Sequence, residues 1–106
     1  MIIKESVKKE VEKIIEKFNK EHFTSKEIFY FPKFKKDFLY LMRNEYGRKG
    51  PICRLKYNGK ISDWDFEIFK YTSETFTDDI FLMPGAGEID GTIEGAMLAG
   101  LEVYPF

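Results

Sequence analysis

The chain is short of the residues on which most catalytic and covalently braced proteins depend. It has one cysteine and one histidine in 106 residues. A single cysteine excludes an intrachain disulfide and makes a reducing, intracellular setting the default expectation. His22 has no Cys, Asp or Glu beside it at metal-ligand spacing, so neither a metal site nor a base-activated nucleophile is expected. No apolar run approaches the ~20 residues that span a bilayer. The N-terminus is charged from Lys4 and lacks the apolar core of a signal peptide. A soluble, cytoplasmic protein with no membrane partner and no cofactor is expected. Cations are scarce in the second half, where residues 61–106 hold 1 Lys against 10 Asp/Glu. Residues 1–60 hold 16 Lys/Arg against 8 Asp/Glu. The split suggests a polyanion-binding half beside an acidic one, or two halves that attract each other in the fold.

What is abundant is aromatic: 11 Phe, 6 Tyr and 1 Trp, enough ring area to exclude disorder and to build one core. Ile3, Val7, Val11, Ile14 and Phe18 recur at spacings of three and four, with Ile15 widening the stripe. This predicts an amphipathic helix over 2–20. Its other face alternates Lys and Glu, including Glu5–Lys9 and Glu16–Lys20 at i,i+4.

The stretch FTSKEIFYFPKFKKDFLYLMRN (23–44) reads as two helices around a tight turn. Thr24 and Glu27 form a capping box, and Phe23 and Ile28 a hydrophobic staple. Pro32 ends the first helix (25–29) and opens the second (33–46). On the second, Phe34, Phe38, Leu41 and Met42 share an apolar side, while Lys33, Lys36, Tyr40, Arg43 and Asn44 lie opposite. Gly47 is placed to end that helix. Arg48 and Lys49 follow in a basic loop.

Residues 52–57 and 60–71 alternate as strands around Asn58-Gly59, a type I′ hairpin signal. A turn there pairs Tyr57 with Lys60, Cys53 with Trp64 on the buried face, and Arg54 with Asp63 on the exposed one. Cys53 is read as a small core residue rather than a nucleophile.

The order of three helices and a hairpin over 3–71 resembles the winged helix-turn-helix superfamily. The resemblance implies an α+β fold with three N-terminal helices, a β-hairpin wing tipped by residues 58–60, and helix 33–46 as the recognition helix. It further implies DNA contacts at Lys33, Lys36, Tyr40, Arg43 and Asn44, with Arg48, Lys49 and Lys60 beside them. Asp63, Asp65 and Glu67 depart from a DNA-facing wing because they would repel phosphate.

Residues 1–71 are thus expected as a winged-helix-like unit, and 72–106 as an acidic, glycine-containing extension of the same domain or a dimer contact. Within that extension 72–79 reads as a loop and 80–83 as a short strand. Gly85, Gly87 and Gly91 lack the G-K-[ST] of a phosphate loop and enclose Glu88 and Asp90. Asp90 can cap a final helix over 92–101, whose small residues and single carboxylate predict burial against the first helix or a second copy.

Carboxylate pairs such as Asp63/Asp65 and Asp78/Asp79 sit on an alternating face or in a polar loop, so no catalytic residues and no enzyme activity are expected. The expected function is that of a homodimeric, winged-helix DNA-binding regulator, its basic helix in the major groove of double-stranded DNA. The alternative is a protein-interaction module whose acidic hairpin and tail take a basic partner. A third reading is RNA binding through exposed rings such as Tyr30, Tyr40 or Tyr46.

Overall fold

The apolar stripe of the first helix folds as its period requires. In the computed structural model, which describes residues 2–106, α1 spans Glu5–His22 and buries Val11, Ile15 and Phe18. Its exposed side carries Lys8–Glu5 and Lys20–Glu16 ion pairs at 3.5 and 3.3 Å. His22 lies in the last turn, its ring stacked on Phe18 with centroids 4.0 Å apart.

Residues 25–46 are not helical, which overturns the winged-helix reading. They form β1 (Ile28–Lys35) and β2 (Phe38–Glu45), so one helix rather than three precedes the sheet. The segment satisfies two periods at once. Phe34, Phe38, Leu41 and Met42 fit a helical stripe, but Leu39, Leu41 and Arg43 also alternate with Phe38, Tyr40 and Met42. Rings and aliphatic groups on both faces suit a pleated strand, where β-branched and aromatic side chains stand clear of the backbone. Pro32 does not break β1 because β1 is the edge of the sheet, where a missing N–H is tolerated. Gly47 caps no helix. With Tyr46 it makes a two-residue turn, both at positive φ as a type I′ hairpin requires.

The chain continues as β3 (Arg48–Lys60), β4 (Asp63–Lys70) and β5 (Thr75–Thr77), giving an antiparallel five-stranded meander in the order β1-β2-β3-β4-β5. Leu41 pairs with Cys53 but Met42 with Pro51, so Ile52 is the extra residue of a bulge. The bulge turns both Ile52 and Cys53 into the core. The β3–β4 hairpin forms in a different register from the one the Asn58-Gly59 turn implies: Cys53 faces Ile68, Arg54 faces Glu67 and Lys60 faces Asp63. The slip is four residues, an even number, so every side chain keeps its face and Arg54 still meets a carboxylate. The short return strand of the fourth hairpin, β5, lies within 72–79, and 80–83 is not a strand.

α2 (Ile93–Val103) follows a 3₁₀ turn at Ala86–Glu88. Thr92, rather than Asp90, is its N-cap, accepting from the Gly95 amide at 3.0 Å. Asp90 instead holds Thr92, accepting from its amide and its hydroxyl. Ile93, Gly95, Ala96, Met97, Ala99 and Gly100 are buried. They pack within this chain, against α1, β3 and β4. Polar contacts fasten both helices to β1: the Asn19 side chain pairs with both backbone groups of Tyr30 at 2.8 and 2.9 Å, and the Tyr30 hydroxyl donates to the Met97 carbonyl at 2.8 Å. Among the described residues no helix is long and apolar enough to cross a membrane.

Candidate functional site

Both helices cover the sheet face that carries Tyr30, Leu39, Leu41, Cys53 and Ile68. Strand alternation therefore sends a second set of side chains to the opposite face: Phe29, Phe31, Lys33 and Lys35 from β1, Phe38, Tyr40 and Met42 from β2, Lys49, Arg54 and Lys56 from β3, and Phe69 and Phe76 from β4 and β5. No described element covers these residues, and the apolar ones among them stand outside the core cluster. Such a face would ordinarily be polar. Here its rings lie in a band: Phe38 to Tyr40, Tyr40 to Phe76 and Phe76 to Phe69, with centroids 6.2, 5.5 and 5.0 Å apart. The Arg54 guanidinium lies 4.5 and 4.7 Å from the ring centres of Phe38 and Phe76, and its Nε donates to Glu67 at 2.6 Å. That bond to Glu67 is the main reason the Arg54 pKa is raised. Lys33, Tyr40, Met42, Pro51 and Phe76 line a groove of about 490 Å³ in this face, a size that suits a small ligand or a single ring system.

Charge divides the open face. Glu67 is tied to Arg54, and Asp63 and Asp65 both accept from the Asn58 side chain at 3.1 and 3.0 Å. The acidic hairpin therefore satisfies its carboxylates internally. Towards β1 the balance reverses: Lys33 and Lys35 are exposed and pair with no carboxylate among the described residues, and the Lys49 ammonium lies 5.9 Å above the Phe31 ring.

The residues picked out for DNA contact do not share one surface. Lys33, Tyr40 and Lys49 reach the open face; Lys36 is in the β1–β2 turn; Lys60 is exposed where β3 turns into β4. Asn44 is buried, its Nδ2 donating to the Glu27 carbonyl at 2.8 Å. Arg43 is buried on the helix side, where Nη2 donates to the carbonyl of Tyr104. The two side chains best suited to reading base edges are thus committed to backbone carbonyls. Arg48 lies at the rim of a cleft beside Arg43. The helical reading missed Phe29, Phe31, Lys35 and Phe76, although the alternation of ring and lysine in IFYFPKFK carried the signal for the first three.

Cys53 is wholly buried, and burial pushes its thiol well above the usual range, so no thiolate is available. Burial raises the Tyr30 hydroxyl in the same way. No group of three or more His, Cys, Asp and Glu side chains among the described residues is arranged to hold a metal ion. Comparison with protein-family models, with curated proteins and with solved structures returns no match.

Proposed function

We propose that this chain is a cytoplasmic binding module that takes single-stranded nucleic acid on its open sheet face. One observation carries the reading: Lys33 and Lys35, which pair with no carboxylate among the described residues, and Lys49, over Phe31, flank partly exposed rings on a face that no described element covers. Bases have a π-face whatever their sequence, and ring stacking with flanking cations is how sheet surfaces hold single strands. Tyr40 and Phe76 supply rings at the groove, and the three lysines supply phosphate contacts. A duplex suits the face less well, because no described element projects to enter a groove and both Arg43 and Asn44 are buried.

The test is fluorescence anisotropy with a labelled single-stranded oligonucleotide and its duplex. Three phosphate contacts imply a salt slope of about −2, hence a roughly 20-fold loss of affinity between ~50 and ~200 mM salt. Tyr40→Ala should cost about 1–3 kcal/mol if it stacks on a base. Equal or tighter duplex binding, or none to either, would overturn the proposal. So would a face-to-face dimer that buries Tyr40 and Phe76.

A second reading rests on a different surface. Phe81 and Leu82 are 86% and 89% exposed in the loop that also carries Asp78 and Asp79. An apolar pair beside two carboxylates suits a basic protein partner. Capture of a basic protein by the native chain but not by the F81S/L82S double variant would favour it.

A further inference from the structure

On the helix side of the sheet, at the end away from the β1–β2 turn, Arg43 forms part of a cleft of about 370 Å³. Its side chain is 1% exposed. A guanidinium has five N–H donors and keeps its charge at any accessible pH, so its burial demands partners. Nη2 has one, the Tyr104 carbonyl. Nε is 3.5 Å from Glu45 Oε2, close enough for an ion pair, yet neither Nε nor Nη1 makes a hydrogen bond. Arg43, Tyr104 and Glu45 line the same cleft, with Nε and Nη1 just behind its wall and almost without solvent exposure. The Tyr30 ring, 5.5 Å from the guanidinium carbon, contributes a cation–π contact, and its hydroxyl oxygen lies near the same guanidinium.

The surroundings are built to hold this gap open rather than fill it. Arg48 and Lys49 add two further cations to the lining, against the single carboxylate of Glu45. Gly50 is opposite Arg43 on β3, and a Cβ there would lie 2.6 Å from the Tyr71 hydroxyl oxygen. The missing side chain leaves room for the Tyr71 hydroxyl, which donates to the Pro51 carbonyl at 2.6 Å. Ile52, Val103 and Pro105 supply apolar wall. One buried cation with unpaired donors, two exposed cations and apolar sides suit a small molecule with an anionic end and an apolar body.

We propose that this cleft binds a small organic oxyanion, a carboxylate or a phosphoryl group, towards which the Arg43 side chain turns so that Nη1 and Nε donate to its oxygens while Arg48 completes the charge. The site shares only Lys49 with the open sheet face.

Inorganic phosphate and benzoate are the probes, each titrated into the full ¹⁵N-labelled chain at ionic strength matched with sodium chloride. The expected result is a saturable shift of the Arg43 Nε–H resonance and of the Gly50, Tyr71 and Tyr104 amides, with a Kd at or below about 1 mM for at least one probe. Saturation by phosphate alone assigns a phosphoryl ligand, and by benzoate alone a carboxylate. Arg43→Gln should weaken binding about tenfold or more. Since that variant leaves Tyr104 without its donor and can fail to fold, Arg48→Gln is the companion: exposed and dispensable to the core, it should weaken binding roughly twofold to fivefold. Shifts no larger than chloride produces, or shifts unaffected by Arg48→Gln, would overturn the proposal.

Discussion

Gly100→Ala is the substitution on which simple helix reasoning and tertiary reasoning disagree in sign. Gly100 is inside α2, where alanine is the better helix former by about 1 kcal/mol. Propensity alone therefore predicts a more stable protein. The packing predicts the reverse. A Cβ at this position would stand 2.5 Å from the Tyr30 hydroxyl oxygen and 2.6 Å from Ile52 Cγ2. Tyr30 is 1% and Ile52 3% exposed, so neither can swing into solvent. Forcing a methyl into such a site costs about 1–3 kcal/mol. The displaced Tyr30 hydroxyl also loses its bond to the Met97 carbonyl, and an orphaned buried donor costs about 1–3 kcal/mol. After the helix gain, the net loss is about 1–5 kcal/mol. Urea unfolding followed by far-UV circular dichroism measures it directly. The midpoint should fall with m unchanged, and Tm should drop by at least about 4 °C at about 4 °C or more per kcal/mol for a domain this size. Gly87→Ala is the control, because a Cβ there meets nothing within 4 Å. Its midpoint should stay within about 0.5 kcal/mol of the native one. A Gly100→Ala midpoint equal to or above the native value would refute the close packing of α2 on β1 and β3.

Cys53 should be inert to a thiol reagent such as dithionitrobenzoate in native buffer and react stoichiometrically once the chain is unfolded, because its thiol is both buried and held protonated; rapid native labelling would show that the core opens there. Asp90 should contribute to the acid limb of stability. The hydrogen bonds from Thr92 lower its pKa in the folded chain, so its contribution is present above the ordinary carboxylate pKa of about 3.9 and is lost as pH falls through the lower folded value. Asp90→Asn should flatten the decline of Tm below about pH 4, and an identical acid limb in native and variant chains would remove Asp90 from that role.

Some of this protein was settled locally and some was not. The stripe of Val11, Ile15 and Phe18 has one period, with a charged opposite face, and no tertiary context was needed to make α1 a helix. Burial of the last helix followed from its own composition, since Glu94 and Glu102 are its only charged residues and its small side chains must lie against something. The face assignment of Cys53, Leu55, Trp64 and Ile68 was legible too, because alternation survives any even slip in register. Residues 28–45 were not legible in the same way. Their apolar groups fit periods of 3.6 and 2 together, and a capping box before a proline is as compatible with an edge strand as with a helix turn. Only pairing could choose: Tyr30 beside Arg43 and Leu39 beside Leu55 bury in one layer what two separate helices would have left half exposed. The same choice moved the basic residues. On a helix Lys33, Tyr40, Arg43 and Asn44 share a side. On two strands of a sheet Lys33 and Tyr40 go to the open face, while Arg43 points beneath the helices and Asn44 turns to the Glu27 carbonyl. The residues themselves supplied the chemistry of cations and rings; the pleat decided which of them stand together, because it alternates every residue where a helix repeats every third or fourth.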